Sequence, residues 1–276
     1  MILFARLLCG EIFIEVEDPD VGQSLARLFL LQYSSSASRY VRQIVVTGKG
    51  SFSIAEDGIL VSGNLSFGDL ALTLDRMLEC VVRAAEIPGA ISLHASSALM
   101  DGKAISFVGL SGSGKTTFAL ESSRHGDGFL GDEYAWLNTT RCCLSHELAP
   151  VHIKNSGLFQ AKSMGFPVSE VVGADGFRVN YADPRSVGLV GEKAWLPLRA
   201  LVFPCFDEGR LKTEIRAMSV VSFAQKLAES AVVGVDGPRV IRRMWQLIGS
   251  GKVRVVSVAY SNVREACKLL LEDLKL

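Results

Sequence analysis

Residues 108–120, "VGLSGSGKTTFAL", contain the pattern that decides the fold. Gly109 and the run Gly114-Lys115-Thr116 match the pattern G-x-x-x-x-G-K-[ST] in full, between an apolar strand-like segment and a helix-like segment. Glycines in such a loop, including Gly112, adopt backbone angles that other residues rarely reach, so that successive N–H groups converge on phosphate oxygens at a helix N-terminus. The stretch therefore predicts a strand, a polyphosphate-binding loop and a helix.

The residue types of this loop predict how a nucleotide is held. Lys115 places a positive charge between the β- and γ-phosphates, and the hydroxyl of Thr116 is suited to ligate Mg²⁺. We expect ATP, or another nucleoside triphosphate, together with Mg²⁺. The residues expected to contact the nucleotide are Gly109, Ser111, Gly112, Ser113, Gly114, Lys115, Thr116 and Thr117.

Two acids and one histidine are the candidates for the rest of the site. Asp132 and Glu133 interrupt the apolar stretch "FLGDEYAWL", which predicts a neighbouring strand with both acids in its middle. A carboxylate among apolar residues is costly unless it holds a cation or takes a proton, and the alternative is a pair of solvent-facing charges. His94 lies on the strand that forms a hairpin with the strand before the loop, and its alternative is a packed core histidine.

Hydrophobic patterns divide the chain into two predicted domains, residues 1–88 and 89–276. The first is a small α+β domain with a hairpin turn at Asp57-Gly58 and an amphipathic helix over residues 67–87. The second is an α/β domain that starts with a hairpin around residues 101–103. Residues 155–192, rich in Gly, Ser, Asp and Pro, predict a long active-site loop.

The composition excludes several classes of protein. Lys+Arg and Asp+Glu both number 29, so no basic excess indicates nucleic acid or an anionic membrane as a partner. No apolar run reaches the roughly 20 residues that span a bilayer. The six cysteines show no CxxC spacing, which favours reduced thiols. We expect a soluble cytoplasmic protein.

Taken together, the quoted motifs resemble a known family. The run "LHASSALMDGKAISFVGLSGSGKTTFALESSRHGDGFLGDEYAWLN" is similar in order to the C-terminal domain of HPr kinase/phosphorylase, and still more to the HPr-kinase-like proteins of the lasso-peptide precursor kinase type. The resemblance covers residues 91–138 closely and the remainder weakly. It implies a P-loop core with a central twisted mixed sheet, like that of phosphoenolpyruvate carboxykinase.

The resemblance also implies residue roles. Asp132 would take the proton of the acceptor hydroxyl, His94 would lie beside the acceptor, and Thr116 with Glu133 would hold the metal, Asp132 completing the expected metal set. It further allows a homo-oligomer in which Arg239, Arg242 and Arg243 contact phosphates of a neighbouring subunit, the alternative being a solvated helix face.

The chain departs from that family at two places. Where HPr kinases have Glu-Ile-Arg-Gly, this sequence has His152-Ile153-Lys154-Asn155, and the later Arg-Pro-Gly-Arg stretch is not evident. Dual kinase and phosphorylase activity on HPr is therefore not expected. Lys154 remains a candidate catalytic cation near the transferred phosphoryl group, with a solvated loop lysine as the alternative.

The sequence thus predicts a kinase that phosphorylates a serine or threonine hydroxyl of a small protein or peptide, with the N-terminal domain recognising that substrate. Two alternatives remain open. One is a kinase for a small-molecule alcohol or amino acid. The other is a nucleotide-binding regulatory module with little catalysis.

Overall fold

The computed structural model shows a mixed α/β protein with a central mixed sheet and several helices, as the sequence predicts. The residues that the structure describes are 1–7, 10–29, 31–33, 42–84, 87, 89–146, 150–188, 195–229 and 237–275. No helix within these ranges combines the length and apolar character that crossing a membrane requires.

The elements follow one another in a mixed order. The strands are β1 (Ile2–Leu7), β2 (Gly10–Val16), β3 (Gln32–Tyr33), β4 (Arg42–Thr47), β5 (Phe52–Glu56), β6 (Ile59–Leu65), β7 (Ala90–Met100), β8 (Lys103–Val108), β9 (Gly128–Gly131), β10 (Tyr134–Asn138), β11 (Cys143–His146), β12 (Val151–Ile153), β13 (Val168–Val172), β14 (Arg178–Ala182), β15 (Leu196–Phe206), β16 (Glu214–Ala217) and β17 (Arg254–Tyr260). The helices are α1 (Pro19–Leu28), α2 (Phe67–Ala84), α3 (Lys115–His125), α4 (Asn155–Ser163), α5 (Val220–Glu229), α6 (Gly237–Gly249) and α7 (Val263–Leu274), with a 3-10 turn at Pro184–Val187.

The chain divides into two compact units. The first comprises Met1–Glu86, Leu148–Leu158 and Pro167–Asp183, and the second comprises Ile87–Glu147, Phe159–Phe166 and Pro184–Leu276. Two segments from the second half of the chain thus join the N-terminal unit.

The first unit has a sheet in the order β3-β1-β2-β4-β5-β6 among its described strands. The predicted hairpin between β5 and β6 is confirmed, with Asp57 (φ 47°) and Gly58 (φ 81°) in its turn. Such angles suit a tight turn that follows the twist of the strands. Asp18 begins α1 by accepting hydrogen bonds from the backbone N–H groups of Asp20 and Val21.

The predicted loop over residues 155–192 is wrong for most of its described part. These residues include α4, β13, β14 and the 3-10 turn, and β14 pairs with both β12 and β13. Four of the five residues of β13 are exposed or half-buried. An edge strand of this kind carries no clear hydrophobic alternation, which is why the pattern favoured a loop.

The second unit is built on a sheet in the order β11-β10-β7-β8-β15-β17-β16, with β9 also paired to β7, among the described strands. β8, β15 and β17 run parallel, whereas β7 is antiparallel to β8 through the predicted turn at Asp101-Gly102. The carboxyl ends of the three parallel strands therefore meet at one edge of the sheet, and the glycine-rich loop leaves β8 there.

Buried apolar side chains hold the helices on this sheet. Phe107 of β8 stacks on Phe118 of α3 with ring centroids 4.9 Å apart, and Phe118 meets Tyr260 of β17 edge-on at 5.1 Å. The aromatic contacts tie the first turns of α3 to the carboxyl edge of the sheet.

The cysteines differ in burial. Cys143 and Cys267 are buried, whereas Cys80 and Cys205 are exposed free thiols and Cys9 lies outside the described residues.

Candidate functional site

The loop between β8 and α3 is shaped by glycines that no other residue can replace without strain. Gly112 and Gly114 have φ angles of +84° and +97°, which side-chain-bearing residues rarely adopt. A Cβ atom on Gly114 would in addition overlap the hydroxyl group of Tyr260. The loop therefore rests directly on the end of β17.

α3 begins at Lys115, directly after the glycine-rich loop. Its N-cap residue is Gly114, which has no side chain to accept hydrogen bonds from the first-turn N–H groups. The Lys115 side chain is buried, and its Nζ donates to the carbonyl oxygens of Gly109 (2.9 Å) and Leu110 (3.1 Å). An ammonium group and the N-terminus of a helix thus lie at one place, which favours an anion.

A buried carboxylate lies next to this helix start. The Oγ1 of Thr116 donates to the Oδ1 and Oδ2 of Asp132 over 3.1 and 3.2 Å, and the hydroxyl of Ser96 donates to Oδ1 as well. Asp132 is only 1% exposed and Ser96 is fully buried. Burying a carboxylate is costly unless hydrogen bonds or a cation compensate its charge. A cation at this position would stabilise the carboxylate further.

The donor atoms fit a magnesium ion better than a transition metal. Thr116, Asp132 and Ser96 offer only oxygen, which is what Mg²⁺ prefers. The described residues contain no group of three or more His, Cys, Asp or Glu that would hold a metal by themselves. Mg²⁺ does not need such a group, because it usually takes one or two protein oxygens together with phosphates and water.

The two adjacent acids lie in a break between β9 and β10 rather than in the middle of one strand, which corrects the expectation from the sequence. Both strands pair with β7, and Glu133 between them has a left-handed φ of +65°. Adjacent residues of a regular strand point to opposite faces. Here Asp132 contacts Ser96 while Glu133 contacts His94, and these two β7 residues share a face because they are two positions apart. The break therefore brings both carboxylates to one face of the sheet.

Glu133 and His94 form an accessible acid–histidine pair. His94 Nε2 lies 3.3 Å from Glu133 Oε2, and their side chains are 33% and 28% exposed. The pair thus differs from Asp132, which is closed off from solvent. Water and a substrate hydroxyl can reach it.

A second histidine, for which the sequence gave no functional support, packs against the opposite face of β7. His146 of β11 is buried, and its Nε2 lies 2.7 Å from the hydroxyl of Ser97, which itself donates to Ser106 over 2.9 Å. Burial lowers the pKa of His146 to about 3. A Cβ on Gly131 would lie 2.6 Å from the Nδ1 of His146, so glycine is required immediately before Asp132.

The structure brings together most of the predicted site residues. Thr116 contacts Asp132, and His94 contacts Glu133, the next residue in the chain. Lys115 precedes Thr116 and contacts the carbonyl oxygens of the loop. The Oγ of Ser113 is buried without a hydrogen-bond partner in the described part of the chain, which makes it a free polar group within the loop. Ser111, Thr117 and the loop glycines lie in the loop or the first turn of α3.

Lys154 belongs to the first unit. It follows β12 in the first unit, is exposed, and its carbonyl oxygen accepts from the N–H of Gly157 over 2.8 Å. The other predicted catalytic residues belong to the second unit. Its proposed contact with the phosphoryl group stays a prediction.

Two residues of the site were missed. Ser96 is signalled in the sequence only by being two positions after His94, which puts both side chains on one face of a strand. Tyr260 gives no local signal, because its role depends on a loop far away in the chain.

Comparison with known proteins leaves the family open. No protein-family model matches the chain, and no curated protein matches it significantly.

Proposed function

We propose that this protein is an ATP- and Mg²⁺-dependent kinase with a P-loop core of the HPr-kinase-like type, which phosphorylates a serine or threonine hydroxyl of a peptide or small protein. One observation carries the proposal. The buried carboxylate of Asp132 is hydrogen-bonded to Thr116, directly beside Lys115 and the glycine-rich loop at the start of α3. Phosphoryl transfer asks mainly for alignment and for neutralisation of charge, and these groups supply both.

The loop is suited to bind the polyphosphate. In the present structure the ammonium of Lys115 is satisfied by the carbonyl oxygens of Gly109 and Leu110. On nucleotide binding it would exchange these carbonyls for phosphate oxygens, which form stronger charge-assisted hydrogen bonds. The unpartnered hydroxyl of Ser113 would gain an acceptor at the same time.

Thr116 and Asp132 are the residues that would hold Mg²⁺. When bound, the ion neutralises charge on the phosphates and helps to orient them. Thr116 provides a hydroxyl oxygen and Asp132 a carboxylate that already lies within 3.2 Å of that hydroxyl. The two groups are thus arranged for a shared cation.

The family resemblance suggests Asp132 as the residue that takes the proton of the acceptor hydroxyl. The contacts favour Glu133 instead. Both oxygens of Asp132 are engaged by the hydroxyl of Thr116, and the carboxylate is buried. Glu133 is partly exposed and paired with His94. In this assignment Glu133 takes the proton from the attacking hydroxyl. His94 orients the Glu133 carboxylate and stabilises its negative charge before the transfer.

A peptide acceptor is supported by an edge strand of the first unit. β6 ends the order of the six-stranded sheet, and Ile59, Leu60 and Val61 on it are 73%, 67% and 47% exposed. An edge of this kind can pair with an extended peptide, whose side chains would cover the apolar residues. A Leu60→Lys variant would then raise the KM for the peptide without changing ADP affinity.

The test is phosphoryl transfer from ATP to cellular peptides and metabolites, read by mass spectrometry. A mass gain of about 80 Da on a peptide, the mass of one transferred phosphoryl group, is the expected result. Lys115→Met should abolish it, whereas Lys103→Met, at the other end of β8, should not. A gain on a small alcohol would instead indicate a small-molecule kinase. Only free phosphate, or no turnover with tight nucleotide binding, would indicate a regulatory module.

A further inference from the structure

The carboxyl edge of the parallel strands carries an exposed aromatic residue that the proposed chemistry does not use. β15 ends at Phe206 and β17 ends at Tyr260, and these two residues are direct neighbours in the parallel pairing. In open α/β sheets, ligands bind beyond the carboxyl ends of parallel strands. Phe206 is 51% exposed, although a phenyl ring gains by leaving water.

Contacts connect Phe206 to the glycine-rich loop. Its ring packs against Tyr260 with centroids 5.7 Å apart and planes at 64°. Tyr260 is itself buried and touches Gly114. The exposed face of Phe206 is therefore one aromatic ring away from the start of α3.

The order of the strands gives the bound nucleotide a direction. Asp132, Glu133 and His94 lie on β7 or between its neighbours β9 and β10, on one side of β8, whereas β15 and β17 lie on the other side. The reacting phosphoryl group has to lie near the acids. The opposite end of the polyphosphate, which carries the nucleoside, then extends toward β15 and β17.

We propose that the ring of Phe206 forms one wall of a nucleobase subsite, so that the phosphoryl donor is a nucleoside triphosphate and not pyrophosphate or another inorganic polyphosphate. The inference rests on the proposed function, because it takes the phosphates to bind at the loop. A base stacks on an aromatic side chain with little preference among sequences or bases, since every base has a π-face.

The turn after Phe206 is compatible with such stacking. The backbone N–H of Asp207 donates to the carbonyl oxygen of Tyr260 over 2.8 Å, which fixes the end of β15. Arg210 lies 3.7 Å from Asp207 and 3.4 Å from Glu214, so that these charges are paired with one another. In the proposed subsite we therefore assign the contact with the base to the ring.

The test compares two ligands that share the phosphates but differ in the base. Calorimetry measures the affinity of ADP and of inorganic tripolyphosphate, each with Mg²⁺, for the wild-type chain and for Phe206→Ala. Loss of one stacking contact should weaken ADP binding about tenfold, while tripolyphosphate binding stays unchanged. Val221→Ala serves as the control, because Val221 is 70% exposed but lies away from the proposed subsite. It follows β16, and the pairing of β16 with β17 ends at Val256, toward the other edge of the sheet.

A second variant adds a direct signal. Phe206→Trp should keep ADP affinity, and its fluorescence should change with ADP but not with tripolyphosphate. Equal effects of Phe206→Ala on both ligands, or no effect on either, would overturn the subsite. The proposal that the loop binds phosphate would be unaffected. A wild-type protein that binds neither ligand would overturn the subsite and the proposed kinase function together.

Discussion

Each unit of the molecule contains an acid–histidine pair of nearly the same geometry. In the second unit His94 Nε2 lies 3.3 Å from a Glu133 oxygen, and in the first unit His152 Nε2 lies 3.4 Å from an Asp75 oxygen. The histidines are exposed to almost the same extent, 33% and 32%. Distance and exposure alone would therefore rank the two pairs together.

Their surroundings separate them. Asp75 also accepts from the hydroxyl of buried Tyr181 over 3.0 Å, and His152 packs edge-on against the Tyr181 ring at 5.0 Å. This pair is joined to aromatic packing around Phe29, which meets Tyr181 at 5.9 Å. It has the features of a structural contact that joins α2 to β12 and β14.

The Glu133–His94 pair of the second unit instead lowers the stability of the fold locally. Glu133 has a left-handed backbone and follows a buried carboxylate, two features that destabilise a fold locally and persist where the surroundings impose them. The comparison teaches that cost, rather than geometry, distinguishes a candidate catalytic pair from a structural one.

The largest expected effect is on turnover. Glu133→Gln should lower kcat about 100-fold or more, the range of a lost general base, because the amide cannot accept the hydroxyl proton. Asp75→Asn makes the matching change in the other pair and should leave kcat nearly unaltered. Steady-state kinetics with ADP affinity measured in parallel checks this. Equal losses of kcat in both variants would erase the distinction between the pairs.

The next effect is a loss of folding stability at low pH. His146 has a pKa of about 3 in the folded protein against an ordinary value of 6.5. The unfolded chain therefore binds a proton that the folded chain refuses, and stability falls as the pH drops from 6.5 toward 3, by up to about 1.4 kcal/mol per pH unit. Denaturant unfolding at several pH values should show this slope, and His146→Gln should reduce it. An unchanged slope in the variant would contradict the assignment.

A smaller effect is expected in the first unit. Tyr181→Phe removes a hydroxyl that donates to the Asp75 carboxylate, and the free energy of local opening should fall by about 1.5 kcal/mol. Hydrogen exchange of the β14 amides measures it. Glu133→Gln should change opening in the second unit by less than about 1 kcal/mol, as for exposed ion pairs. The reverse order would mean that the pairs have exchanged their roles.

The smallest effect isolates the backbone of Glu133. Glu133→Gly and Glu133→Ala both remove the carboxylate, but only glycine is relaxed at a φ of +65°. The glycine variant should therefore be the more stable of the two by about 1 kcal/mol. Thermal unfolding of both proteins provides the comparison. An alanine variant of equal stability would show that this backbone is unstrained.

Local signals in the sequence predicted the centre of the fold well. The hairpin at Asp101-Gly102 and the helix from Lys115 to its end before Gly126 are as expected, because turn residues and helix boundaries are set by neighbours in the chain. α2 also agrees closely with the helix predicted over residues 67–87, since it begins at Phe67 and ends at Ala84.

Features that depend on distant contacts were not predictable. The break at Asp132 and Glu133 requires β9 and β10 to pair with the same strand, and no residue type in "FLGDEYAWL" indicates a left-handed glutamate. The three-stranded sheet in residues 150–183 was missed because its strands are short and largely exposed at the edge. In both cases tertiary pairing overrode the local pattern.

The support of Gly114 by Tyr260 has a consequence for the order in which the protein folds. The hairpin, the loop, α3 and the acids come from one continuous stretch, whose contacts close early because little chain entropy is lost. Tyr260 arrives from β17, which is synthesised long after these residues. During synthesis the glycine-rich loop and α3 thus form well before the residue that supports Gly114, so the conformation of the loop should become fixed only once β17 has left the ribosome.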